Sequence, residues 1–313
     1  MGRRDRGGRL DAELARLLED PDSIGSKPVR SRWGRVARPR RPRRPSRERR
    51  GPRSLRARLP SPVFLGLVVL TAAGGVLAAE TPLGSVASGV GVFVLILAGW
   101  LVSVCLHEFA HAYVAYRGGD DGVVGADYLR LNPFRYVHPL LSVVLPLVWI
   151  AFGGIGLPGG AVLVHHHRLR SRTWVSAVSA AGPTVNVVVA LASVASLRLF
   201  DGSALDGVHG TALHAAIGWF AWLQVSVAIL NLLPIPGLDG WGIIEPWLAP
   251  ATVRTADKIR PFGLLILVVL LWTPSISAGF SELVDRVATA IGVPEWLPWL
   301  GSQLFRFWSH HQI

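Results

Sequence analysis

From residue 62 onward the chain consists largely of apolar runs near the length, about 20 residues, that a helix needs to cross a hydrocarbon core about 30 Å thick. Five runs are clear: residues 62–79, 88–116, 174–200, 211–233 and 262–280. A sixth, 137–164, contains Pro146, Pro158 and five glycines between Gly153 and Gly160, so a single straight helix is not expected there. Half of the 313 residues are hydrophobic, too many for an ordinary soluble domain of this size. The expected fold is therefore an α-helical polytopic membrane protein with about six transmembrane helices.

Charge orients these runs. Residues 1–60 hold 20 Arg and Lys against 7 Asp and Glu, whereas the remainder holds 12 against 13. The first apolar run starts far beyond the point where a cleavable secretory signal ends, so it is expected to remain as an anchor. Arg-rich flanks resist translocation, which places the N-terminus in the cytoplasm. Residues 30–58 are rich in Pro and Arg without apolar periodicity and are expected to be disordered. A topology signal, or contact with anionic headgroups of the lipid bilayer, is the favoured reading of that charge, and nucleic acid is an unlikely partner. The chain thus divides into a cytoplasmic tail (1–60), a transmembrane domain (61–280) and an interfacial helical segment (281–313) carrying Trp296, Trp299, Phe305, Phe307 and Trp308. Arg outnumbers Lys 30 to 2, which suggests a bacterial source and hence the bacterial cell membrane.

With the N-terminus inside, the second run travels inward, and Arg117, Arg130 and Arg135 fall on the cytoplasmic side. His165, His166, His167, Arg168, Arg170 and Arg172 belong there too, so 137–164 is expected to enter the membrane and return. A helix to about Phe152 followed by an extended glycine-rich return satisfies this. Bare backbone at that depth must face protein or a wet cavity, and Gly159, Gly160, Ala161 and Val162 are candidates for a strand edge that pairs with an extended substrate segment.

Near the end of the second run stand His107, Glu108, Phe109, Ala110 and His111, an HExxH arrangement. Helical spacing puts both histidines on one face, one turn apart, where their imidazoles reach one Zn²⁺, with Glu108 beside them to take a proton from a water that the metal acidifies. The pattern also arises by chance, but three ionisable residues within five positions of an apolar helix are costly in lipid and mark function. A hydrolytic zinc normally has three protein ligands. The third is sought in Asn231-Leu-Leu-Pro-Ile-Pro-Gly-Leu-Asp239-Gly240, where prolines end the fifth run and glycines let the chain turn back. That run also travels inward, bringing Asp239 level with His107 and His111. The lone Cys105 supports neither a disulfide nor a cysteine zinc site.

On HExxH, on Asn231, Pro234, Pro236, Leu238, Asp239 and Gly240, and on Gly182, Pro183 and Asn186 of a Gly-Pro-x-x-Asn element, the chain resembles the site-2 proteases, intramembrane zinc metallopeptidases of regulated intramembrane proteolysis. The resemblance covers roughly residues 84–247. It implies one Zn²⁺ per chain held by His107, His111 and Asp239, with Glu108 as general base. It further implies that Asn231 stands near the oxyanion or the substrate backbone, and that Asn186 does similar work or ties helices together. The implied substrate is a transmembrane protein, such as an anti-sigma factor or a signal-peptide remnant. Many relatives have a second glycine where this chain has Trp241, and the PDZ or CBS domains of larger members find no room here. A catalytically inactive relative and a metal-ion transporter are the alternatives. The transporter would spread ionisable residues along a pathway rather than gather them at one depth, and it gives Glu108 no task.

Overall fold

A computed structural model describes residues 60–125, 128–136, 164–199 and 211–309. The tail 1–59, most of the run 137–164 with the proposed strand edge at Gly159–Val162, and the loop 200–210 lie outside the described residues. No strand occurs among the described residues.

Among the described residues four helices are long and apolar enough to cross a membrane: α1 (Pro62–Glu80), α2 (Val86–Gly118), α3 (Arg172–Leu199) and α4 (Thr211–Leu232). Each corresponds to one of the clear apolar runs. Helix α1 begins at Ser61, whose hydroxyl caps it by accepting from the Phe64 N–H, with Pro62 at the first helical position. Helix α2 ends at Gly118, followed by Gly119 in the left-handed conformation (φ 118°) that terminates helices. The two helices cross where Gly74 faces Gly91. A Cβ on either would come within 2.6 Å of backbone nitrogen on the other, so only glycine permits this approach.

The ends alternate. The Ser61 N–H donates to the Arg130 carbonyl, and Gly118 lies against Leu169 and Trp174, so the start of α1, the end of α2 and the start of α3 share one end of the bundle. Helix α4 brings its C-terminus to that end as well. It is the central helix, with Ala215, Ala216, Ala221, Leu223, Gln224, Ser226 and Leu230 almost fully buried. By contrast α1 turns Leu65, Val68, Val69, Leu70 and Val76 outward, as a lipid-facing helix does.

After α4 come a short helix α5 (Asp239–Ile244), the amphipathic α6 (Pro250–Ile259), α7 (Gly263–Trp272), α8 (Pro274–Ile291) and α9 (Trp296–Phe305). The run 262–280 is expected as one span. The structure instead breaks it at Thr273, and the two helical segments meet at 93°, so the pair counts as a fifth span only if a broken helix is accepted as one. The cause is local: Thr273 precedes Pro274 and adopts an extended conformation (φ −77°, ψ 116°), which a residue before proline favours over the helical one. Helix α9 buries Leu297, Leu300, Leu304 and Phe305 in a core shared with Val92, Leu95, Ile96 and Trp219, and leaves Trp296 and Trp299 outward. It therefore sits at the bundle end opposite the C-terminus of α2.

Just beyond α2, the carboxylate of fully buried Asp120 accepts from the backbone N–H groups of His165 (2.8 Å) and Gly122 (2.9 Å). It also faces the His165 ring (3.2 Å) and Arg168 (3.5 Å). Burial alone pushes its pKa up, but the two backbone donors and then the His165 ring outweigh this and hold it below the ordinary carboxylate range. Asp120→Ala leaves those donors unpaired and is expected to cost about 1–3 kcal/mol, read as a lower midpoint of thermal inactivation in detergent. Because the folded pKa is depressed, this contribution is complete above the ordinary carboxylate range and is lost as pH falls from there through the lower folded value. The wild-type and variant midpoints should therefore converge on acidification.

Candidate metal centre

Helices α2 and α3 and the turn after α4 converge on one point. His107 and His111 lie one turn apart on α2, both buried, with their Nε2 atoms 3.0 Å apart. Asp239, at the start of α5, faces them: Oδ2 is 3.2 Å from Nε2 of His107, and Oδ1 is 3.4 Å from Nε2 of His111. Among the described residues these three form the only group of His, Cys, Asp or Glu side chains placed to share a metal ion. A tetrahedral zinc with bonds of about 2.0–2.1 Å separates its ligand atoms by about 3.3 Å, so the spacing fits.

The proton arrangement fits as well. Nδ1 of His111 lies 2.7 Å from the Val178 carbonyl, which only accepts, so this nitrogen carries the proton. Nδ1 of His107 lies 2.7 Å from Oδ1 of Asn186 and donates to it. Both Nε2 atoms therefore direct lone pairs at each other and at a carboxylate, an arrangement that a cation resolves.

The turn that delivers Asp239 depends on close backbone approach. A Cβ on Gly240 would strike the carbonyls of Leu232 and Leu233, so the chain folds back onto the last turn of α4 only with glycine there. Asn231 is buried in that last turn, and Glu108 is buried on α2 next to His107. Trp241 is buried in α5. Glu245, just after α5, pairs with Arg260 at 2.7 Å. Asn186 is buried on α3, and its amide is engaged at both ends.

One residue that the motifs contain but chemistry does not single out is Gly182. A Cβ there would collide with Nε2 of both histidines. This glycine brings the backbone of α3 directly over the point where the three ligand atoms converge. Its signal in the sequence is its place in the Gly-Pro-x-x-Asn element, which carries no information about distance.

The chain is 48% identical over 255 residues to a protein of Mycolicibacterium smegmatis named a zinc metalloprotease, Rip2, covering 80% of this chain and 95% of that one. Its counterpart in Mycobacterium tuberculosis H37Rv is 46% identical over 261 residues with the same coverage. A Bacillus subtilis protein named as a zinc metalloprotease, YwhC, is 29% identical over 176 residues, 56% of this chain and 78% of its own. No family model and no solved structure matches the chain. Long apolar helices, a zinc-compatible cluster and relatives of this name and coverage together establish that the chain belongs to the site-2 protease family of membrane zinc metalloproteases.

Proposed function

We propose that the protein hydrolyses peptide bonds within transmembrane segments of membrane proteins, as an intramembrane zinc endopeptidase of regulated proteolysis. The observation that carries this reading is the convergence of His107 and His111, with Glu108 beside them on the span-length α2, and Asp239 in the turn just beyond the span-length α4. His107, His111 and Asp239 would hold the ion. Bound Zn²⁺ supplies a Lewis acid that polarises a carbonyl and makes water acidic near neutral pH. Glu108 takes the proton from the attacking water and returns it to the leaving amine nitrogen. The Asn231 amide donates to the oxygen on which negative charge develops.

The substrate segment must be locally unwound, because a helix occupies its own carbonyls with hydrogen bonds. An anti-sigma factor or a signal-peptide remnant, each a short membrane-embedded chain, suits such a site. The bundle end that carries the metal cluster also carries Arg117, Arg130, Arg168, Arg170 and Arg172, which supports a cytoplasmic location for that end in the bacterial cell membrane. Alternation of the spans then puts the N-terminal tail on the same side, with its 20 basic residues near anionic headgroups.

The test is to purify the protein in detergent, measure its zinc, and incubate it with transmembrane peptides that differ only in a helix-breaking pair near the cytoplasmic end. One zinc per chain is expected, with cleavage about tenfold faster for the interrupted peptides, abolished by a chelator and restored by zinc. Absence of zinc, or cleavage that survives its removal, sinks the proposal.

A further inference from the structure

Three polar side chains, one from each of α2, α3 and α4, meet inside the bundle behind His107. The Ser103 hydroxyl donates to Oε1 of Gln224 at 2.7 Å, and Nδ2 of Asn186 donates to the same Oε1 at 2.8 Å and to Oγ of Ser103 at 3.3 Å. All three residues are at most 3% exposed. In helix segments that are otherwise mostly apolar, apolar side chains would fill this space at lower cost. Moreover, Nε2 of Gln224 is buried without a partner, so the arrangement is kept although one amide end goes unsatisfied.

From this geometry we infer that Gln224 and Ser103 are positioning residues that fix the Asn186 amide and, through it, the tautomer of His107. Asn186 has two orientations. With Nδ2 turned towards Gln224 and Ser103, its oxygen faces His107 and requires the proton on Nδ1, leaving Nε2 free to ligate. Flipped, it presents its NH₂ to His107, which must then accept at Nδ1 and carry its proton on Nε2, where the metal belongs. With Gln224 oriented so that Oε1 faces Asn186 and Ser103, two acceptors behind Nδ2 disfavour the flipped state: Oε1 already receives two donors, and the flipped Asn186 would turn an acceptor towards it. His111 needs no such device, because the Val178 carbonyl cannot flip.

The inference deepens the reading of His107 as a zinc ligand and rests on it. The test is a chelator-competition titration of zinc into detergent-purified wild type, Gln224→Leu, Gln224→Glu and Ser103→Ala, with melting curves of the metal-free proteins. Gln224→Leu should bind zinc about 10- to 100-fold more weakly, the usual cost of losing an outer partner of a ligating histidine. Gln224→Glu keeps an acceptor and should stay within about threefold of wild type. Ser103→Ala should weaken binding less than Gln224→Leu, because its contact with Asn186 is the longer one. The metal-free melting temperature of Gln224→Leu should fall, because the Ser103 hydroxyl and the Asn186 amide lose the acceptor they share, whereas that of Gln224→Glu should stay near wild type. Wild-type affinity in Gln224→Leu overturns the inference while leaving zinc binding by the protein intact. Equal weakening in the Leu and Glu variants together with lower melting temperatures also overturns it, by showing a structural role. Failure of the wild type itself to bind zinc overturns the underlying reading.

Discussion

Gly182→Ala should purify as a folded membrane protein that does not hold zinc. Alanine is about 1 kcal/mol better than glycine in a helix interior, so the substitution does not weaken α3 locally. The added methyl group, however, projects onto Nε2 of both His107 and His111, at the point where the ligand atoms of α2 and Asp239 converge. Relief requires α3 to move away or the imidazoles to turn, and either displaces the donor atoms by more than a tetrahedral ion with bonds of about 2.0–2.1 Å tolerates. Zinc measured after dialysis against micromolar zinc should fall from one per chain to near zero. Peptide cleavage should fall by about 10³-fold or more, as expected on losing a Lewis acid worth several kcal/mol. The metal-free melting temperature should match that of the wild type. Retention of one zinc per chain at wild-type affinity would mean that α3 does not close over the site as described.

The contrast between Gly182 and the motif residues explains what the sequence reveals and what it withholds. His107, Glu108 and His111 are legible because ionisable residues in an apolar run are expensive and their helical spacing dictates a shared face. Asp239 is legible because parity of the spans sets its depth, and the structure brings it within 3.4 Å of the histidines. The four long helices follow from run length alone. Close approach leaves no such trace: Gly182 is marked only by its place in the Gly-Pro-x-x-Asn element, which says nothing of how near α3 comes to the histidines. Ser103 and Gln224 are single polar residues without a pattern, and only packing of α2, α3 and α4 makes them neighbours. The break at Thr273–Pro274 did have a signal, the proline and the more polar residues around it, but the strongly apolar stretch 263–272 ahead of it dominates the run. The docking of α9 is likewise invisible, since a Trp-rich amphipathic segment satisfies an interface and a bundle groove equally well.

The second large effect separates the base from the ligands. Glu108 is buried on α2 beside His107 but is not one of the three residues whose donor atoms converge. Glu108→Ala should therefore retain one zinc per chain and wild-type zinc affinity while losing cleavage by about 10²–10⁴-fold, the contribution of a positioned general base. Asp239→Ala should lose both together, because two imidazoles alone leave the ion short of its third protein ligand. The two variants thus separate a chemical role from a structural one within one assay. If Glu108 merely supported the helix, its variant would lose metal or melt early, and cleavage per bound zinc would stay normal. If the bundle were a metal conduit, wild type and Glu108→Ala would carry zinc into liposomes alike and neither would cut any peptide. A drop in turnover per bound zinc, with affinity unchanged, is the outcome that assigns water activation to Glu108.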